Sequence, residues 1–203
     1  MINRTGLALL ALGALLFAAV FYVATTYNML GWTAEAGADE ATWLAPPVLV
    51  ALYTMAFGLP YALWELTRRT NWLAILFVLI LIPAAHYAAM YAFLWYTVEG
   101  QATEALLMAG FLAGFVGAAL SFLALFVLGL RSSGAGIAVF GAGLLLLTAW
   151  GGLGMKLLNL ESESPGALSF ILPIFLPWQM IFAFFLSALL RPSPPRGAAA
   201  STD

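Results

Sequence analysis

Apolar and polar positions along the chain do not alternate with a strand or amphipathic-helix period. They come in long apolar blocks separated by short polar punctuation. Six blocks approach or exceed the ~20 apolar residues that an α-helix needs to cross a bilayer. They run over approximately residues 5–27, 43–65, 71–96, 104–130, 134–157 and 168–190. The joints between them are TAEAGADE (33–40), ELTRRT (65–70), an acidic stretch over 97–103, RSSG (131–134) and LLNLESESPG (157–166). No segment shows the ten-residue alternation of an outer-membrane barrel. The pattern predicts an all-α bundle of six transmembrane helices over residues 1–190. A Pro/Ala/Ser tail, 191–203, has no apolar residues to bury and is expected to be disordered.

The first block has a basic start (Arg4) and an Ala-rich body, features shared with signal peptides. Its apolar run exceeds the usual 7–15-residue signal core. It also ends in Tyr27, Asn28 and Trp32, as an interfacial belt would, so it reads as a span.

Prolines divide the blocks further. Pro46 and Pro47 lie at a helix entrance, where a missing N–H breaks no intrahelical bond. Pro60, Pro83, Pro173 and Pro177 are interior and are expected to kink or break their helices. Gly110 and Gly114, with Gly117 one turn on, give the fourth block a small-residue face. Such a face lets helix backbones approach closely, within the bundle or against a second copy or membrane partner.

Composition agrees with the pattern. The 203 residues are 64% hydrophobic and 8% charged, with a mean hydropathy of +1.02. A soluble surface needs about 25% charged residues. There is no cysteine, which removes disulfides, thiolate nucleophiles and cysteine metal sites. No run of Lys and Arg is long enough for nucleic acid or a polybasic lipid patch.

Charge then orients the bundle. With the N-terminus in the cytoplasm, Arg4, Arg68, Arg69, Arg131, Arg191 and Arg196 all fall inside, and only Lys156 falls outside. Short Lys/Arg-rich loops stay inside. Both termini are therefore expected in the cytoplasm of a cell with a bacterial-type inner (plasma) membrane. Trp32, Trp43, Trp64, Trp72, Trp95 and Trp150 lie near predicted span ends and fit an aromatic belt. Trp178 is mid-span and does not.

Candidate chemistry is confined to polar groups inside spans, which are costly in lipid. Counting 1.5 Å per helical residue from the outer ends, Tyr53, Thr54, His86, Tyr87, Thr148, Trp178 and Gln179 fall about 12–17 Å deep. Four helices thus offer polar groups in one layer, with Pro83, Pro173 and Pro177 beside it. Helix breaks near the midplane accompany substrate sites in transporters. The expectation is an outward-opening aromatic cavity lined by His86, Tyr87, Tyr53, Thr148, Trp178 and Gln179, taking an apolar or weakly polar small molecule. The same groups can instead be interhelical hydrogen bonds that hold the bundle. His86, the single histidine, then packs or donates to Tyr or Gln. No metal or cofactor is expected at His86, since no second histidine or mid-span carboxylate completes a site.

Glu65 lies three and four residues before Arg68 and Arg69 and reads as a solvated interfacial ion pair. Lys156 ends the fifth span, where helix dipole and snorkelling favour a cation. It is a candidate outer-surface anion contact, or a partner for Glu161 and Glu163. There is no H-E-x-x-H, G-x-S-x-G or Walker motif, and no Asp or Glu in a span interior. An intramembrane enzyme would have to work without those groups. The alternative to a binding or transport component is an accessory subunit of a larger membrane complex, docked through the Gly-rich faces.

One stretch has a family likeness. Residues 43–64, with Trp43, Pro46-Pro47, Leu52-Tyr53, Tyr61 and Trp64, resemble the second-helix region of the tryptophan-rich sensory (translocator) proteins. The resemblance implies five helices and porphyrin or sterol-like ligands. Its Pro-Pro to Leu-Tyr distance is shorter than that family's, and the likeness ends at this stretch.

Overall fold

The structure is a computed structural model that describes residues 3–27, 45–68, 71–99, 103–131, 136–161 and 171–191. Helix α1 is Arg4–Thr26 and α2 is Ala45–Arg68. Helix α3 begins as Trp72–Leu76, passes through a π-helical turn at Phe77–Leu81, and continues as Ile82–Glu99. Helix α4 is Thr103–Val127 and α5 is Ile137–Glu161. Helix α6 opens with a π-helical turn, Ile171–Phe175, and runs on as Leu176–Leu189. The six helices fall on the six apolar blocks. Among the described residues five of them are long and apolar enough to cross a membrane: all but α2. The tail beyond Arg191 and residues 33–40 lie outside the described residues.

Local chemistry sets the helix ends. The Asn71 side chain accepts from the Ala74 N–H (3.2 Å) and caps α3. Asn3 does the same for Gly6 at the start of α1 (3.0 Å). Helix α4 stops at Gly129, which takes φ +66°. The Gly129 N–H donates to the Phe126 carbonyl (3.0 Å) and the Leu130 N–H to the Leu125 carbonyl (3.1 Å). This is a Schellman cap, and glycine takes its left-handed residue without Cβ strain.

Prolines explain the π turn in α3. Pro83 has no N–H, and its ring would strike the carbonyl four residues back. The chain widens ahead of it, and the Ile82 N–H reaches the Phe77 carbonyl five residues away. By contrast α2 stays α-helical through Pro60.

Each helix packs on its neighbours in sequence, and α6 returns to α1, closing a ring. The Asn3 N–H donates to the Ser187 carbonyl (3.3 Å), and the Arg191 N–H to the Leu130 carbonyl (2.8 Å). The start of α1 and the ends of α4 and α6 therefore meet at one end of the bundle. Exposed Arg4, Arg131 and Arg191 gather there.

Close approach between neighbours depends on glycine. A Cβ on Gly110 would meet the Gly151 carbonyl, and one on Gly114 would lie 2.6 Å from the Leu147 carbonyl. A Cβ on Gly117 would lie 3.2 Å from Ala89 Cβ and 3.6 Å from the Trp178 ring. All three glycines are buried in contacts within the chain. The close approach that these glycines allow is thus taken up within the chain, by α5, α3 and α6.

Aromatic side chains fill the ring. Phe17, Phe21, Phe57, Phe122 and Phe182 are buried. Phe182 stands within 6 Å of three other rings: Phe57 (5.6 Å), Phe122 (5.9 Å) and Trp178 (5.2 Å). Outward-facing residues are apolar as well, including Leu145, Val127, Ile137 and Leu123. An apolar exterior over an apolar core suits lipid rather than water. The chain has the architecture of a multi-pass membrane protein.

Candidate functional site

The polar groups converge at the centre of the ring. A small cavity is lined by Thr54 and Phe57 of α2, Ile82 and His86 of α3, Gly117 and Ser121 of α4, and Trp178, Gln179 and Phe182 of α6. It has room for about one water molecule. No Asp, Glu, Lys or Arg lines it.

His86 stands among rings. Its centroid lies 6.1 Å from Phe17, 6.2 Å from Phe175 and 6.4 Å from Trp178. His86 Nε2 is buried and has no hydrogen-bond partner among the described residues, and the same holds for Gln179 Oε1. Gln179 as a whole is only 2% exposed.

Of the six residues predicted to share a site, His86, Trp178 and Gln179 line this cavity; Tyr53, Tyr87 and Thr148 do not. Helix geometry accounts for Tyr53 and Tyr87. Successive residues sit about 100° apart around the axis. Thr54 and His86 face inward, so their neighbours turn aside. Tyr53 is half-buried, and Tyr87 stacks on Tyr91 with centroids 6.5 Å apart. Thr148 lies at the α4–α5 seam, its Cα 3.2 Å from where a Gly114 Cβ would stand. Its hydroxyl oxygen is buried there without a hydrogen-bond partner among the described residues.

Ser121, Phe57, Ile82, Gly117 and Phe182 were not expected in the lining. Ser121 carried a signal, as a polar residue well inside an apolar block. A depth count places it about 26 Å from the outer end of its span, below the layer. The helices are not level: a Cβ on Gly117, one turn before Ser121, would lie against the Trp178 ring, so a count from the end of its own span overstates the depth of Ser121.

The helix break beside the site has its own support. In an α-helix the Pro173 carbonyl would take the N–H of residue 177, but Pro177 has none. The indole Nε1–H of Trp150, on α5, donates to that carbonyl instead (3.0 Å). Gly154 helps, since a Cβ there would come within 3.1 Å of the same oxygen. Trp150 was expected in the interfacial belt. It is corrected to an inward donor. Trp72 and Trp95 are exposed on the bundle's exterior, as belt residues are, while Trp32 and Trp43 lie outside the described residues.

Two charged expectations also change or stand aside. Glu65 is fully buried, so a solvated ion pair is corrected; burial by the neighbouring helices removes it from solvent. The Arg68 guanidinium lies over the Trp64 ring at 4.4 Å. Lys156 is exposed at the end of α5, while Glu163 lies outside the described residues. Among the described residues no three His, Asp or Glu side chains cluster as a metal site would require.

Comparison with known protein families, curated proteins and solved structures finds no match to the chain.

Proposed function

We propose that this chain is a small-molecule-binding or transport component of a cell's inner membrane, with six spans and both termini in the cytoplasm. The site is the central cavity, where His86, Trp178 and Gln179 meet Thr54 and Ser121. Tyr53, Tyr87 and Thr148 stand outside its lining. The ligand is apolar or weakly polar, because no charge lines the cavity to neutralise an ion.

One observation carries this reading. His86 Nε2 and Gln179 Oε1, on different helices, are buried without hydrogen-bond partners beside one cavity. A buried polar atom left unpaired costs about 1–3 kcal/mol, and an apolar residue of similar shape would avoid that cost. Two such atoms at one place suit recognition better than packing. A larger ligand needs the rings around the cavity to turn, and the break at Pro173 and Pro177 gives α6 a place to move.

Native mass spectrometry on protein extracted in mild detergent tests the proposal. Wild type is expected to carry a small molecule that His86→Ala and Gln179→Leu lose while keeping their helical content. The same adduct on all three proteins, or none on wild type, refutes it.

A further inference from the structure

We propose that the central cavity is a site for one neutral hydroxyl group, that of a water molecule or of an alcohol, bridging His86 Nε2 and Gln179 Oε1. It concerns the same cavity as the proposed function, but holds whether or not a larger ligand is bound or carried.

The lining sets the chemical class. An anion has no cationic partner there and would face the Gln179 oxygen, and a cation has no carboxylate. An apolar group would leave both buried atoms unpaired. The occupant must donate to the Gln179 oxygen. It must also pair with an imidazole nitrogen that accepts in one tautomer and donates in the other. A water does both in either tautomer, and an alcohol does both where Nε2 carries the proton. Turning the Gln179 amide by half a rotation exchanges acceptor for donor, and a hydroxyl serves that arrangement too.

Size and partners agree. The cavity admits about one water, and buried waters make 2–4 hydrogen bonds. Thr54, Ser121, His86 and Gln179 bring four polar side chains to its wall. One hydroxyl bridging His86 and Gln179 would thus link α3 to α6 across the ring, and an alcohol, with one O–H and two lone pairs, would replace water on those two partners.

The single histidine makes a direct test possible. Protein labelled with ¹⁵N-histidine, in neutral phospholipid vesicles, gives one imidazole in solid-state NMR. Nε2 is expected at a hydrogen-bonded shift and to receive magnetisation from water. Methanol labelled with ¹³C should place its methyl carbon beside the imidazole while leaving the hydrogen-bonded shift. In Gln179→Leu the transfer is expected to fall by roughly half or more, one of its main partners being gone. A hydrogen-bonded shift without water transfer assigns the hydroxyl to a co-purified molecule and upholds the site. A free-nitrogen shift at Nε2 in wild type overturns the proposal, and needs no variant to fold. Equal transfer in wild type and a folded Gln179→Leu overturns it as well. Loss of a small molecule in native mass spectra is a separate readout, so the two proposals fail separately.

Discussion

The Trp150–Pro173 hydrogen bond permits a sharp test of why α6 holds its shape. Trp150→Phe keeps an aromatic ring against the break and removes only the N–H donor, leaving the Pro173 carbonyl with no indole partner. Interhelical hydrogen bonds in membranes average about 0.6 kcal/mol, because the unfolded chain in lipid also finds partners. A carbonyl left unpaired in an apolar setting costs about 1–3 kcal/mol. The expected loss is therefore about 1–2 kcal/mol. The second arm is Pro177→Ala. Pro177 sits in the first turn of Leu176–Leu189, where a residue with an N–H is equally at home. An alanine in its place would offer the Pro173 carbonyl the backbone donor that proline withholds, and Trp150→Phe should then cost about 0.5 kcal/mol or less. The cycle is read from reversible unfolding in mixed detergent micelles, followed by far-UV circular dichroism. A coupling of about 1 kcal/mol is expected. Equal costs in both backgrounds, within the ~0.3–0.5 kcal/mol of additive sites, would show that proline does not free this carbonyl for Trp150.

The α4–α5 seam gives a contrast between two glycines on one helix. Gly151→Leu places a side chain against the Gly110 carbonyl and should destabilise the bundle by about 2–3 kcal/mol or more, whereas Gly141→Ala, with nothing within 4 Å, should stay within about 0.5 kcal/mol; similar melting for both would undo the close-packing account. Gln179→Leu removes a buried oxygen that no described protein group pairs, and should change unfolding stability by under about 1 kcal/mol while abolishing ligand retention. A large loss of stability there would mean that Gln179 holds the fold. Single cysteines replacing Ala36 and Ser132, in a chain that otherwise has none, should label from opposite sides of sealed vesicles with a membrane-impermeant maleimide; labelling from one side contradicts six spans.

Much of this architecture is local and one-dimensional. A run of apolar residues long enough to cross lipid has to be helical there, because every backbone group must be satisfied within its own segment. Block lengths and polar joints therefore suffice to place six helices. Proline and glycine mark where those helices break or end, as at Pro83, Pro173 and Gly129, since missing N–H groups and positive φ are properties of single residues. Depth along a helix is nearly as accessible, and it brought His86, Trp178 and Gln179 into one layer. Facing was decided only by tertiary structure. Because apolar residues cover each helix on all sides, no amphipathic stripe points to the interior. The choice between Tyr53 and Thr54, or His86 and Tyr87, was thus open until neighbours packed. Packing also reassigned groups that sequence position alone had misplaced. It buried Glu65 and turned Trp150 to the Pro173 carbonyl. It drew Ser121 to the centre from a depth that had excluded it. Each of these depends on which helix stands opposite, and a closed ring of six sets that through contacts between residues far apart in the chain.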